Sequence, residues 1–472
     1  MSSLDQPPVI VHPSHGRTPL GRNRSEAAGA HLWGNFTDQS KWAAGQVPTV
    51  VRGEGVWFYD SAGRKVFDGL SGLFTVQVGH GRAELAEAAA RQARELAFFP
   101  VWGYAHPPAI DLAERLATLA PGPLNRVFFT GGGGEAVETA WKLAKAYWAL
   151  RGQPKKRKAI ARAGAYHGTT HGALSLTRIA PYAEPFAPLV EGASDAPNTN
   201  FYRSDPRFWD DEEAFGDWAA EGVEEAILAA GPDEVAAVFI EPVQNSGGCF
   251  TAPPNYYQEL RRVCDKHQVL LVSDEVICAY GRVGGYFAYG DLGYTPDIVT
   301  SAKGLTSGYA PMGAVLASDE VYEPFSGPGH PFKHGFTFGG HPVAAAVALA
   351  NLDLFEREDL VERVRSHSPA FRASLETLKD IPIVGDVRGA GYFFGIELAK
   401  DQTTRERFTE AEADRIRAYL SPALYAAGLY ARADDRGDVV LQLAPPLISG
   451  PAEFELITGI LRQVLGQIAA GL

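Results

Sequence analysis

Three cysteines in 472 residues, at positions 249, 264 and 278, are odd in number and lack the paired spacing of a metal site. They argue against a disulfide framework and fit a reducing compartment, with thiols serving as small core residues. The chain has no apolar stretch of about 20 residues and no N-terminal apolar run of signal length. A membrane-spanning helix and a secretory leader are therefore not expected, and a cytoplasmic protein is. Basic residues are in the minority, 43 Lys and Arg against 56 Asp and Glu, for a net charge of −13 that repels phosphate backbones. The short run Lys155-Lys156-Arg157-Lys158 reads as a solvated approach to the next strand, so nucleic acid is not an expected partner. Internal repeats and low-complexity tracts are also missing. What remains, 46% hydrophobic and 21% charged, is enough to bury large cores in at least two domains.

Residues 1–30 are rich in Pro, Ser, Gly and Arg without periodicity and read as an N-terminal arm. Residues 31–75 contain two short antiparallel strand signals, Gly55–Asp60 and Lys65–Asp68 around a Ser61-Ala62-Gly63 turn, which suit the first part of a small domain. From 76 to 343, strands expected at 126–130, 157–163, 235–241, 269–276, 297–302 and 312–318 alternate with helices. Residues 344–472 complete the small domain, with a helix after Pro342 and strands near 391–398 and 439–443. The expected fold class is α/β: a mostly parallel sheet covered on both faces in a large domain, beside a smaller α+β domain.

Lys303 ends the apolar run after Asp297-Ile298-Val299 and precedes a glycine-rich loop, where a parallel strand would leave its sheet. Ligands in α/β folds bind there, and a desolvated amine at such a place attacks carbonyls. Alone, the segment would read as a strand-end lysine. Upstream, Val269–Val276 is a buried-strand pattern finishing in Asp274. A buried carboxylate needs a cationic or strongly donating partner, and the protonated pyridine nitrogen of pyridoxal phosphate is one. Without Lys303, Asp274 would read as a helix cap. A third piece is the strand Arg126–Thr130, the turn Gly131–Gly134, and apolar residues at 136, 137, 140, 143, 144 and 147 on one helical face. This strand, turn and helix presents backbone N–H groups to an anion, although it is neither a Walker loop nor a dinucleotide fingerprint. His167 and His171 share a four-residue spacing, but Gly168-Thr169-Thr170 between them supplies no glutamate, so no metal is expected.

Together, Phe129–Ala136, Ala165–Thr170, Ile240–Gln244, Ser273–Val276, Ser301–Gly304 and Phe336–Pro342 resemble, in order, the class III aminotransferases, the omega-transaminase branch of the pyridoxal-phosphate enzymes with the aspartate-aminotransferase type of fold. The resemblance covers nearly the whole chain. It implies that Lys303 is the Schiff-base lysine and proton shuttle and that Asp274 faces the pyridine nitrogen. Val276 and Tyr166 would flank the ring, His167 would support the stack, and Glu241 would be a carboxylate near Asp274. Gly133 and Gly134 would bind phosphate, Gly134 standing where many relatives carry serine. Thr337 would reach the phosphate of a neighbouring subunit, which implies a homodimer with shared active sites.

For substrate, the resemblance assigns pocket positions to Trp33, Phe36, Phe74, Trp102 and Ser246, and a mobile carboxylate-binding role to Arg432. The loop Asp434–Asp438 looks longer than in several relatives, which leaves Arg436 as a competitor for that role. The expected reaction moves an amino group from a hydrophobic or aromatic primary amine to pyruvate or a similar keto acid or aldehyde, with the S enantiomer of chiral amines preferred. Alternatives are a beta-alanine, 4-aminobutyrate or diamine transaminase, a mutase or decarboxylase using the same cofactor, and a silent binding protein. The retained Lys303 and Asp274 argue against the last.

Overall fold

In the computed structural model, residues 18–471 are described. Long apolar runs become the centre of the molecule. Val235–Ile240 is buried at all six positions and Leu270–Asp274 at all five, as expected of strands with both faces covered. They belong to a seven-stranded sheet whose spatial order is Arg126–Thr130, Gly313–Ala317, Ile298–Ser301, Leu270–Asp274, Val235–Ile240, Lys158–Arg162 and Ala193–Ala196. Gly313–Ala317 runs antiparallel to both of its neighbours, and the other strand pairs are parallel. The fold class is thus the expected α/β one, with a mostly parallel sheet. The edge strand Ala193–Ala196 is an addition, half exposed and without an apolar run that would reveal it.

Helix Gly133–Leu150 lies across one face of this sheet, burying Val137, Ala140, Trp141 and Ala144 against strand residues such as Ala161, Phe239 and Val272. On the other face, helix Pro342–Arg357 packs with Ala83–Glu95 and Pro107–Leu119. In the basic run Lys155–Lys158, Lys155 and Arg157 are exposed as composition suggested, but Lys156 is not. Lys156 is 2% exposed, and its ammonium donates to the carbonyls of Pro232, Val235, His267 and Gln268 at 2.9, 3.2, 3.3 and 2.9 Å. It also lies 4.7 Å from the Trp148 ring centroid. Four convergent carbonyls make a cage that satisfies a buried cation without a carboxylate.

Two smaller sheets flank the centre. Val50–Glu54, Trp57–Asp60 and Lys65–Asp68 are joined by the C-terminal strand Leu429–Tyr430. Val384–Ala390, Phe393–Leu398, Val440–Leu443 and Arg432–Asp434 form the other. N- and C-terminal segments therefore share one sheet. Of the arm expected over 1–30, residues 1–17 lie outside the described residues, and Arg24–His31 is a helix capped by the Asn23 side chain. Among the described residues no helix is long and apolar enough to cross a membrane, and no cluster of His, Cys, Asp and Glu could hold a metal ion.

Candidate active site

The carboxyl ends of the parallel strands converge on one cavity of about 380 Å³ lined by the Gly131–Gly134 turn, Tyr166, His167, Glu241, Asp274 and Lys303. Each of these residues directly ends or shortly follows a strand of the large sheet, the position where α/β sheets gather ligand-binding groups. Asp274 stands beside Thr300 in parallel register, which brings the Thr300 hydroxyl to its Oδ1 at 3.1 Å. Oδ1 also accepts the Val276 N–H at 3.1 Å, and Oδ2 lies 2.7 Å from Nδ1 of His167. His167 donates from Nδ1, and its Nε2 is buried without a partner.

Lys303 follows Ser301 by two residues in a left-handed backbone conformation, φ 45°. A left-handed non-glycine residue is uncommon and concentrates at functional sites. The side chain keeps some accessible surface because it opens into the cavity, and it is otherwise enclosed. Among the described residues no hydrogen bond or ion pair holds its amine, and the Phe74 ring lies 5.4 Å away. Burial pushes the amine's pKa down from an ordinary 10.5 to about 8, against the opposing charges of Asp274 and Glu241. An amine in that range is about one-tenth uncharged at neutral pH, far more than an ordinary lysine.

The glycine turn meets the cavity at the start of helix Gly133–Leu150. No side chain caps that helix, so its first-turn amides stay open, while Glu135 reaches back to the Gly131 N–H before the helix at 2.6 Å. Gly133 is required sterically, since a Cβ there would stand 2.7 Å from Val276. Gly134 is not, since a Cβ would meet nothing closer than Thr170 at 3.7 Å. Tyr166 and Glu241 are coupled through the backbone: Glu241 accepts the Tyr166 N–H at 3.2 Å and the Asn245 N–H at 3.0 Å. Burial raises the pKa of both side chains.

The remaining expected positions divide. Phe74 is buried beside Lys303. Trp33 and Phe36 line a second cavity of about 660 Å³ with Tyr182, and Thr169 belongs to the walls of both cavities, so the two adjoin. Ser246 is fully buried in the segment leading to Gly247, with its hydroxyl unpartnered. Trp102, 61% exposed, is not brought to the Lys303 cavity of its own chain and lies against Gly335 instead. Thr337 is exposed and does not line that cavity either.

The two arginines differ sharply. Arg436 is almost wholly buried and bound by Asp434 through Nε at 2.6 Å and Nη2 at 3.0 Å, with its guanidinium 5.9 Å from the Tyr166 ring centroid. Burial would lower its pKa, but the Asp434 charge outweighs this and the value is raised. Arg432 is more accessible, and a single 3.4 Å contact with exposed Asp435 tethers it. Sequence reasoning passed over Asp434, which also takes the Gly247 N–H and a Gln442 amide at 2.9 Å each. It also passed over Thr300, which strand register alone could have placed opposite Asp274.

An enclosed amine, a fixed carboxylate and open amides at a helix start are a donor set that fits a phosphorylated pyridine aldehyde. The aminotransferase class-III family model matches residues 40–465. The chain is 59% identical to a probable aminotransferase of Mycobacterium tuberculosis over 457 residues, 95% of this chain and 97% of that one. It is 39% identical to putrescine–pyruvate aminotransferase of Pseudomonas aeruginosa, covering 92% and 94%. Among solved structures, an (S)-enantioselective omega-transaminase from Thermomicrobium roseum superposes with a TM-score of 0.89 at 39% identity, covering 94% of this chain and 98% of that one.

Proposed function

This chain belongs to the class III aminotransferases, a pyridoxal-phosphate-dependent family, and from that premise we propose that it moves an amino group from a hydrophobic or aromatic primary amine to pyruvate or a similar keto acid or aldehyde, in two half-reactions. The observation that carries the reading is the enclosed Lys303 amine sharing one cavity with a hydrogen-bonded Asp274 carboxylate. The bound cofactor would supply an electron sink. Asp274 would keep a pyridine nitrogen protonated, with His167 and Thr300 fixing the carboxylate's orientation. Tyr166 and Val276 would flank the ring, and Glu241 would hold the Tyr166 backbone. The open amides at Gly133 and Gly134 would take the phosphate. Lys303, uncharged in part at neutral pH, would accept and return the proton at the substrate carbon bearing nitrogen.

Arg432 would be the movable partner of a keto acid carboxylate. Its single long tether lets it leave, whereas withdrawing Arg436 would strand the buried Asp434 carboxylate. Phe74, with Trp33 and Phe36 in the adjoining cavity, favours an apolar donor, and the buried, unpartnered Ser246 hydroxyl would be a polar group for the substrate. A diamine donor is the second reading, favoured by the exposed Asp435 carboxylate beside Arg432 and by the likeness to a putrescine–pyruvate aminotransferase. Two copies would complete each site: Phe98 lies 5.7 Å from Phe338 and Phe99 lies 5.1 Å from Tyr104 in an exposed aromatic patch that also contains Trp102 and adjoins Thr337. The test is a donor screen against pyruvate with the cofactor-loaded protein. Arylalkyl amines should outperform beta-alanine, 4-aminobutyrate and putrescine, and the reverse ranking would replace the proposed donor class.

A further inference from the structure

The turn that carries Phe74 is built against its own conformational preference. Its backbone is left-handed at Ser71 (φ 49°), Gly72 (65°) and Phe74 (59°), a region that residues other than glycine avoid. Such a turn persists only where its surroundings over-determine it. Here two sides do so. Fully buried Asp68 lies 2.8 Å from the Gly72 N–H with each oxygen, and Oδ1 also takes the Leu70 N–H at 3.3 Å. Asp68 Oδ2 is in turn 2.8 Å from Nε2 of His80, whose ring is partly exposed.

On the other side, buried Arg282 donates to the Ser71 hydroxyl at 3.1 Å, and that hydroxyl donates to the Ala444 carbonyl at 2.7 Å. Arg282 is itself fixed by the Pro445 carbonyl at 2.6 Å, and among the described residues no carboxylate bonds it. The turn ends in Phe74, whose ring stands 5.4 Å from the Lys303 amine and edge-on to Phe393 at 5.5 Å. Asp68, His80 and Arg282 do not line the Lys303 cavity, and Phe74, 1% exposed, backs the Lys303 amine from behind that lining.

We infer that Asp68 and His80 are positioning residues that hold the 70–74 turn so that Phe74 closes the wall beside Lys303, and that they thereby set the size of amine substituent this wall admits. The substrate part rests on the transaminase reading given above, whereas the hold on the Lys303 wall does not. A histidine at the outer end of the chain of contacts is the place to test it, because it can be changed without emptying the core. His80→Gln keeps a side-chain donor for Asp68, and His80→Ala removes it. The charged and titratable groups acting on Lys303, namely Asp274, Glu241, Cys278 and Arg436, are untouched by either change.

Two quantities decide the matter. The first is the midpoint pH of reductive methylation at Lys303 in the cofactor-free protein, read by peptide mass spectrometry. Loosening Phe74 admits water, so His80→Ala should raise this midpoint by about half a unit or more, and His80→Gln should restore it. The second is the ratio of kcat/KM for a bulky arylalkyl amine to that for a short alkyl amine, with pyruvate as acceptor. His80→Ala should raise it by about threefold or more through KM, with His80→Gln again near wild type. Asp68→Asn should change both in the same sense, and if that protein does not fold, the His80 pair decides. An unmoved midpoint in His80→Ala, or a moved midpoint with an unmoved ratio, overturns the inference. If the wild type transaminates no amine at all, the proposed function fails, and the midpoint still decides whether the hold exists.

Discussion

A single lysine illustrates how burial makes a reactive group. The Lys303 amine titrates near 8 when folded and near 10.5 when the chain is unfolded, so between those values the unfolded chain binds one more proton than the folded one. Stability of the cofactor-free protein should therefore rise as pH increases from about 8 to about 10, relative to Lys303→Met, by up to about 3 kcal/mol. Denaturant melts of the two proteins across that window check the sign, and parallel curves would place the amine in a solvated site. The arginine pair yields a second expectation at this scale. Arg432→Ala should raise the KM for pyruvate far more than that for a hydrophobic amine, on the scale of a charge-assisted bond of about 1.5 to 3 kcal/mol. Arg436→Ala should instead lower the melting temperature, because it leaves buried Asp434 without its cation. Two-substrate kinetics and calorimetry on both variants separate these outcomes.

At the scale of elements, strands buried on both faces were legible from their apolar runs, and so was the gathering of polar residues such as Asp274, Glu241 and Lys303 at their ends around one cavity. Less legible was whatever depends on distant chain segments. Lys156 looked like part of a solvated basic run because its neighbours are basic, yet the carbonyls that cage it come from around residues 232–235 and 267–268. Arg436 against Asp434, and Asp68 against the 70–74 turn, are invisible for the same reason: side-chain pairing in a loop leaves no periodicity. Trp102 was grouped with the pocket by position, but the fold carries it against Gly335, away from the residues that line the Lys303 cavity, and nothing in the local pattern signals that. The cage gives an expectation for the element it anchors. Lys156→Met fits the apolar stem but leaves the carbonyls without their donor, and should cost about 3 kcal/mol. Equilibrium unfolding measures it, and a loss below about 0.5 kcal/mol would mean that water replaces the ammonium.

Over the whole molecule, one chain supplies the amine, the carboxylate and the glycine turn, while Thr337 and the exposed aromatic patch around Phe98, Trp102 and Phe338 do not line that cavity. An isologous pair would cover this patch and bring each Thr337 to its neighbour's phosphate end. Trp102→Glu should therefore yield monomers that bind cofactor weakly. Light scattering with cofactor titration checks this, and a cofactor-saturated, fully active monomer would contradict it. The most direct measurement of the central chemistry is a single half-reaction: the cofactor-loaded protein is mixed with one hydrophobic primary amine and no acceptor, and cofactor absorbance and released product are followed together. Wild type should convert its cofactor from the aldehyde to the amine form, releasing one carbonyl product per site. Pyruvate should then restore the starting spectrum, and Lys303→Ala should be slower by several orders of magnitude. Unchanged absorbance with every amine tested, release of carbon dioxide in place of a carbonyl product, or full speed without Lys303 would contradict the assignment of this site to transamination.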